Sequence, residues 1–230
     1  PTAVCTIDRL DFATETVTTP TPKLSQARGS LAAVQVNRNP IFKTTPKFSN
    51  WPESATVGYF CGNVGINPRS SIFNRLDFTT ETVSVPTPKL SQARSGLAAV
   101  SNSSYGYFGG GDGGVVGIDC TIDRLDFTTE TVSVPTPKLS QARQDLAAVS
   151  SSSYGYFGGG YIGSATLSCT IDRLDFSTET TSVPGKQLSQ ARYQLAATSS
   201  SSYGYFGGGY VSPTVSTIDR LDFSTETTSV

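Results

Sequence analysis

The sequence predicts an all-β fold made of repeated four-stranded sheets, and three observations lead to this prediction. The run Ile-Asp-Arg-Leu-Asp-Phe at 122–127 returns unchanged at 7–12, 171–176 and 218–223. Arg75, Arg124 and Arg173, at one position of the repeat, give a period of about 49 residues, which is typical of a repeat architecture. Each period contains short β-branched and aromatic runs bounded by Gly, Pro or Ser, as in proteins with regularly spaced strands.

One period contains four predicted strands, which we call a to d. In the second full copy, they are Leu97–Val100, Tyr105–Phe108, Thr121–Phe127 and Thr131–Val134. The 3.6-residue periodicity of a helix is absent, apart from one predicted helical turn at Leu139–Arg143. We therefore expect each period to form one antiparallel sheet.

The apolar residues of these strands predict that the sheets are covered on both faces. Strands a and b are apolar throughout, and strand c places Ile122 on one face and Leu125 on the other. Four-stranded sheets packed face to face around an axis, as in a β-propeller, provide that environment. Pro135 after strand d suits an outer edge strand. A β-solenoid is the alternative, but it would need shorter rungs and parallel strands.

The phase of the repeat predicts one propeller domain, or part of one, over residues 1–230. A half blade that supplies only strands c and d precedes four complete sets of strands, so four and a half blades are expected. The predicted boundaries are 1–22 for the half blade and about 23–86, 87–135, 136–184 and 185–230 for the blades.

The two ends of this arrangement do not complement each other, because both supply strands c and d. An open sheet edge is prone to pair with other strands. We therefore expect a protein partner, or a further segment of a longer chain, to complete the ring. An insertion at about 37–56 separates strands a and b of the first blade and holds the only tryptophan, Trp51; long loops of this kind are often functional.

Three short motifs resemble the kelch repeat. They are Arg94-Ser95-Gly96-Leu97 before strand a, Tyr107-Phe108-Gly109-Gly110 at the end of strand b, and Leu125-Asp126 followed by Thr129-Glu130-Thr131. The chain departs from the family at two positions: the tryptophan of strand d is Val83, Val132 or Thr181, and leucine replaces the tyrosine before the aspartate. The resemblance implies a kelch-type propeller. The run Ser-Ser-Ser-Ser-Tyr-Gly-Tyr-Phe-Gly-Gly-Gly is also similar to kelch-like repeat proteins of marine bacteriophages, which implies a virion component.

Composition limits the chemistry that the chain can perform. Seventeen basic and eighteen acidic residues nearly balance, so neither nucleic acid nor an anionic membrane is an expected partner. No apolar run is long enough to span a bilayer. The chain has no histidine, which excludes Ser-His-Asp and Cys-His catalysis and histidine-ligated metals. Four cysteines, Cys5, Cys61, Cys120 and Cys169, are expected to be free and buried, because equivalent repeat positions lie too far apart for disulfides.

The connections between strands b and c vary between copies, whereas the strands hardly change. Loops on a rigid scaffold usually carry the binding residues, and Tyr161 and Tyr210 occupy matching positions there. Asp112 lies in the same connection of the second blade, within Gly-Asp-Gly-Gly, but one carboxylate is far from the six to eight oxygen ligands of calcium. Our candidate binding residues are Asp112, Tyr161, Tyr210 and Trp51. Catalytic, cofactor and metal sites are not predicted.

The recurrence of charged residues in every repeat favours a structural role. Arg124 and Asp126 lie on one face of strand c, and we expect such pairs to form an ion-pair ladder between neighbouring blades. The recurring glutamates are interpreted in the same way, because a catalytic site is normally a single asymmetric constellation.

These observations predict a non-enzymatic structural or adhesive binding module, on a virion surface or tail or otherwise extracellular. Its loops would contact a host glycan or another virion protein. One alternative is a cellular, cytoplasmic kelch-type scaffold for protein interactions. The other is a histidine-free carbohydrate-active enzyme.

Overall fold

The fold of the described residues is all-β, as the sequence predicts. The structure is a computed structural model that describes residues 4–11, 14–19, 23–28, 32–35, 57–62, 69–185, 187–212 and 214–230. Within these ranges it contains 22 short strands and one 3₁₀ helix, Gly114–Val116. The predicted insertion at 37–56, with Trp51, lies outside the described residues.

The chain begins with two small antiparallel pairs. Strand β1 (Val4–Thr6) pairs with β4 (Lys23–Arg28), and β2 (Arg9–Asp11) pairs with β3 (Thr16–Thr18). The hairpin β2–β3 corresponds to strands c and d of the repeat, and we call it the half unit. The pairing of β4 with β1 was not predicted.

Four antiparallel sheets follow, and in each the strands lie side by side in chain order. Sheet 1 contains β5 (Ala32–Gln35), β6 (Val57–Cys61), β7 (Asn74–Asp77) and β8 (Thr82–Ser84). Sheet 2 contains β9 (Ala98–Ser101), β10 (Tyr105–Gly109), β11 (Ile122–Asp126) and β12 (Thr131–Ser133). Sheet 3 contains β13 (Ala147–Ser150), β14 (Tyr154–Gly158), β17 (Ile171–Asp175) and β18 (Thr180–Ser182), with a small hairpin of β15 (Tyr161–Gly163) and β16 (Thr166–Leu167) inserted. Sheet 4 contains β19 (Ala196–Ser199), β20 (Tyr203–Gly207), β21 (Ile218–Asp222) and β22 (Thr228–Ser229).

The helical turn predicted at Leu139–Arg143 does not form, because other groups bind its backbone N–H groups. Leu139 donates to the carbonyl of Cys120 at 2.9 Å and Arg143 donates to that of Asp119 at 3.1 Å. The N–H of Ser140 donates to the carboxylate of Asp172 at 3.0 Å. These long-range bonds hold the segment between sheets 2 and 3.

The hydrophobic core lies between successive sheets. The first strands of the four sheets, β5, β9, β13 and β19, are neighbours in that order. Each of three apolar clusters joins two adjacent sheets. A tyrosine of one sheet stacks on a phenylalanine of the next, with ring centroids 5.4 Å apart in Tyr107–Phe176 and Tyr156–Phe223. Sheets 2 and 3 are therefore covered on both faces, as their apolar strands indicate.

Glycines at the end of the second strand allow the sheets to approach closely. Gly110 and Gly111 have φ values of 72° and 104°, which L-residues with side chains rarely adopt. The N–H of Gly111 donates to the carbonyl of Arg143, in the next sheet, at 2.7 Å. A Cβ at Gly110 would lie 2.6 Å from the same carbonyl oxygen. The glycine run is thus needed for both backbone conformation and inter-sheet contact.

A fully buried arginine precedes the first strand of sheets 2, 3 and 4. Arg143 pairs with the buried Asp172 of β17 and donates to the carbonyls of Gly159 at 3.0 Å and Thr170 at 2.7 Å. Burial lowers the pKa of Arg143, and Asp172 opposes this effect. The guanidinium stays charged at neutral pH because its ordinary pKa is so high. The equivalent pairs are Arg94–Asp123 and Arg192–Asp219.

Ion pairs link neighbouring sheets, but their acidic partner differs from the one predicted. Arg124 pairs at 2.6 Å with Glu179, in the turn of the next sheet, rather than with Asp126. The Asp126 carboxylate accepts the N–H groups of Thr128 and Thr129 at 2.8 and 2.9 Å, so it stabilises its own turn. The same inter-sheet ion pair recurs as Arg75–Glu130 at 2.9 Å and Arg173–Glu226 at 2.8 Å.

The cysteines agree only in part with the prediction. Among the described residues, Cys61, Cys120 and Cys169 form no disulfide, as expected. Cys61 is buried, whereas Cys120 and Cys169 are half-buried. The side chain of Cys5 lies outside the described part of the structure.

The glycine contact can be tested with a matched pair of substitutions. Gly110→Ala and Gly185→Ala each place a Cβ on a residue with positive φ (72° and 81°), which costs about 1–2 kcal/mol. Only the Cβ at 110 meets a neighbouring sheet, whereas nothing lies within 4 Å of a Cβ at 185. We expect Gly110→Ala to lower the free energy of unfolding by about 1–3 kcal/mol more, measured by urea denaturation. Equal losses would contradict the inter-sheet role.

The buried arginine can be tested in a similar way. Arg143→Leu leaves the carboxylate of Asp172 buried without its partner, so we expect a loss of about 3–5 kcal/mol in stability. The matched control, Arg124→Leu, removes a partly exposed ion pair, whose loss costs about 1 kcal/mol or less. Equilibrium unfolding monitored by tyrosine fluorescence measures both. A similar loss in the two variants would show that burial of the Arg143–Asp172 pair is unimportant.

Candidate functional site

Three of the four sequence candidates occupy one structural position in successive sheets. Asp112, Tyr161 and Tyr210 each follow the glycine run after the second strand. Each forms a backbone bridge with the residue after the buried arginine, in the pairs Ser95–Asp112, Gln144–Tyr161 and Tyr193–Tyr210. The two hydrogen bonds of the middle pair measure 3.0 and 2.8 Å. We call these six residues the loop row.

Three tyrosines are brought together at one end of the loop row. The ring centroid of Tyr193 lies 5.9 Å from that of Tyr161 and 5.5 Å from that of Tyr210. The second pair meets edge to face, with an interplanar angle of 71°. Tyr210 is 41% exposed, and the other two rings are half-buried. The cluster therefore exposes part of its aromatic surface to solvent from a backbone held by hydrogen bonds, while the hydroxyl of Tyr161 accepts the N–H of Ala165 at 3.3 Å.

The sequence missed the central member of this cluster. Tyr193 belongs to a position occupied by Ser95 and Gln144 in the other copies. This variation between otherwise repeated units was visible, but contact with Tyr161 depends on how sheets 3 and 4 pack. Trp51 lies outside the described residues.

The carboxylate of Asp112 binds groups of the protein itself. It pairs with the guanidinium of Arg69 and accepts the N–H of Gly114 at 2.8 Å. Arg69 also donates from Nε to the hydroxyl of Ser95 at 3.2 Å. Among the residues that the structure describes, no group of three or more Cys, Asp or Glu residues is placed to hold a metal ion.

Asp145 carries an unfavourable charge close to the loop row. Burial, followed by the negative charge of Asp112, raises the pKa of Asp145. Its backbone conformation is left-handed, with φ of 52°. Its N–H donates to the carbonyl of Gly96 at 2.6 Å, and its carbonyl accepts the N–H of Gln194 at 2.8 Å. The residue thus links sheets 2, 3 and 4 through its backbone, while its charged side chain opposes folding.

Exposed apolar side chains accompany the loop row on sheet 2. Val115 and Val116 both belong to the 3₁₀ helix: Val115 is almost fully exposed and Val116 is 70% exposed. Gly163, in the hairpin of sheet 3, has Ile118 as its neighbour. This end of the sheets therefore combines tyrosines with solvent-facing valines.

The opposite end of the sheets forms a polar depression of about 460 Å³. It is lined by the turns between the first and second strands of sheets 2, 3 and 4. Asn102, Ser151 and Ser200 accept backbone N–H groups of their own turns. The lining contains no charged or aromatic side chain: it consists of Ser101, Asn102, Ser103, Ser150, Ser151, Ser152, Ser199, Ser200 and Ser201.

Comparison with models of known protein families, and with curated proteins, finds no match for this chain. Within the described ranges, no helix has the length and apolar character needed to cross a membrane.

Substitution of two aspartates by asparagine should change the stability of the fold in opposite directions. Asp145→Asn removes a charge that burial disfavours, and asparagine tolerates positive φ, so we expect a gain in stability of up to about 1 kcal/mol at pH 7. Asp126→Asn removes a carboxylate whose pKa is held below its ordinary value of 3.8, first by the N–H of Thr129, so this variant should be destabilised.

The stability contributions of the two aspartates should depend on pH in opposite ways. Asp145 has a raised pKa in the folded state, so its charge destabilises the fold above that pKa, and the advantage of the Asp145→Asn variant shrinks as pH falls. Asp126 has a lowered pKa, so its contribution is present above about pH 4 and is lost as pH falls through the folded value. Thermal melts from pH 7 to pH 3 measure both effects. If Asp145→Asn and Asp126→Asn changed the stability at pH 7 in the same direction, the raised pKa of Asp145 and the lowered pKa of Asp126 would be contradicted.

Proposed function

We propose that this chain is an arc of a kelch-like β-propeller that serves as a non-enzymatic binding module, with the tyrosines of the loop row as its contact surface. The ligand class that we propose is a glycan on a host surface. A virion surface or tail is the proposed location. The tyrosine cluster is the observation on which this proposal depends.

The arrangement of the sheets supports the propeller. Each sheet has four antiparallel strands in chain order, and its first strand lies beside the first strands of its neighbours. Successive sheets also use equivalent contacts, such as Arg124–Glu179 and Arg173–Glu226. Radial repetition of four-stranded sheets is the architecture of a propeller.

The use of charged residues supports a non-enzymatic role. The buried aspartates of β11, β17 and β21 are all paired with arginines. The glutamates of the turns in sheets 2, 3 and 4 pair with the preceding sheet. These groups recur with the same partners in each unit, which favours a structural role over a single catalytic constellation.

The chemistry of the tyrosine cluster supports a glycan ligand. Tyrosine combines an apolar ring face with a hydroxyl that donates and accepts hydrogen bonds, and sugar rings likewise combine apolar C–H faces with hydroxyl groups. The contacts among Tyr161, Tyr193 and Tyr210 reduce the freedom of these side chains before binding. A surface ordered in advance loses less entropy when a ligand binds.

A protein-interaction scaffold is the second candidate, favoured by Val115 and Val116. Their exposure next to the loop row suits a protein partner better than a sugar, because apolar side chains are concentrated at the centres of protein interfaces. The virion location is supported by the resemblance of the serine- and glycine-rich runs to bacteriophage repeat proteins.

Binding to an array of bacterial surface polysaccharides tests the proposal. We expect the chain to bind a subset of the array, and Tyr193→Ala to weaken that binding about tenfold, which corresponds to about 1.4 kcal/mol. Tyr193→Phe is the matched control, because it keeps the aromatic face and should retain most of the affinity.

Val115→Ser/Val116→Ser separates the two candidate functions. The double variant should bind polysaccharide as the parent chain does, because these valines lie outside the tyrosine cluster. A chain that binds none of the polysaccharides, or whose binding is unaffected by Tyr193→Ala, would refute the glycan proposal. Circular dichroism of each variant verifies that the fold is intact.

A further inference from the structure

A groove of about 390 Å³ lies between sheets 3 and 4, at the end of the sheets opposite the loop row. It continues from the serine-lined depression, because Ser151, Ser152 and Ser201 line both. Its other lining residues include Tyr154 of sheet 3 and Tyr203 of sheet 4. The volume lies within the range of about 300–1,000 Å³ that is usual for small-molecule sites. We call this surface the serine groove.

The two tyrosine rings of the serine groove are held in place by the protein. The guanidinium of Arg173 lies 4.8 Å from the ring centroid of Tyr154, and that of Arg220 lies 4.8 Å from the ring centroid of Tyr203. Both rings are half-buried, as is their equivalent Tyr105 in sheet 2, so part of each ring remains accessible. Because the rings are ordered before a ligand arrives, binding on them costs little side-chain entropy.

The polar groups of the serine groove retain the capacity to form hydrogen bonds. Among the described residues, no group pairs with the hydroxyls of Ser202 or Tyr203. Asp222 uses one carboxylate oxygen, Oδ1, to accept the N–H groups of Ser224 and Thr225 and the hydroxyl of Ser224, at 2.7–3.2 Å. Its other oxygen accepts no hydrogen bond within the described ranges. The bonds from Ser224, foremost that of its hydroxyl, lower the pKa of Asp222, so this side chain is charged at neutral pH.

This lining suits a saccharide better than a proline-rich peptide, another ligand that docks on aromatic grooves. Serines supply six of the ten lining residues, and a proline-rich segment would cover their hydroxyls with C–H groups and leave them without partners. A sugar ring offers hydroxyls to the serines and a C–H face to the tyrosines. Among the described residues, no Lys or Arg lines the groove, and the negative charge of Asp222 disfavours an anionic sugar.

We infer that the serine groove binds a neutral saccharide, with sugar C–H faces on the rings of Tyr154 and Tyr203 and sugar hydroxyls bonded to the serines and to Asp222. The inference does not rest on the function proposed for the loop row, because the two surfaces share no residue. With both surfaces occupied, the chain holds saccharides at opposite ends of its sheets and can link two glycan chains.

Titration with the neutral disaccharides maltose, cellobiose and lactose, followed by nuclear magnetic resonance, tests the inference. At least one of them should shift the backbone amide signals of Ser152 and Ser202 in a saturable way. The shifts should be the same in the parent chain and in Tyr193→Ala, which alters only the loop row. Sialyllactose, which adds a carboxylate to lactose, should bind in the groove more weakly than lactose.

Ser202→Trp and Ser104→Trp form a matched pair of variants for the same titration. Both serines are exposed, and the carbonyl of each accepts the N–H of a phenylalanine at 3.0 Å, but only Ser202 lines the groove. The indole at 202 fills the groove, so we expect the affinity for the disaccharide to fall at least about tenfold. Ser104→Trp should leave the affinity unchanged.

Several results would overturn the inference. One is the absence of shifts at Ser152 and Ser202 with all three disaccharides, and another is equal affinity in the parent chain and Ser202→Trp. A similar loss in Ser104→Trp would show that the added indole, rather than the groove, is responsible. Binding of decaproline but of no disaccharide would identify a peptide groove instead, and tighter binding of sialyllactose than of lactose would contradict the preference for a neutral saccharide.

Discussion

The buried arginine before each of sheets 2 to 4 is the interaction on which the rest of the structure depends. The Arg143 guanidinium joins strand β17, through Asp172, to the backbone at the end of β14. Its main-chain carbonyl accepts the N–H of Gly111 from the preceding sheet. One residue therefore holds its own sheet together and fixes the distance to its neighbour. Arginine suits this position because its planar group can donate several hydrogen bonds in fixed directions.

This arrangement separates the parts of the repeat that must stay constant from those that are free to vary. The buried ion pair, the glycine run and the stacked aromatic rings recur in successive units, because they hold each sheet together and join it to its neighbours. The loop row is held by backbone hydrogen bonds, which place few demands on side chains. Asp112, Tyr161 and Tyr210 therefore share a backbone position although their side chains differ, and a scaffold of this kind can change its binding surface without changing its core.

The two ends of the sheets differ in chemistry for the same reason. The turns between the first and second strands repeat the serine-rich sequence and form an uncharged polar depression. The loops at the other end vary and carry aromatic, apolar and charged residues. Contacts within the array are mainly between adjacent units, as in other repeat proteins, so each boundary is a local and separable contribution to stability.

The sequence by itself determined the all-β class and the four strands in each unit. These features depend on local properties: the alternation of strands and turns and a period that the chain repeats. Only the tertiary structure decided which side chains meet across sheets. Arg124 contacts Glu179, 55 residues away, rather than the nearby Asp126, because Asp126 is held by its own turn. The same packing brings Tyr193 against Tyr161. Sequence spacing does not determine the offset between two packed sheets, and that offset selects the contacts.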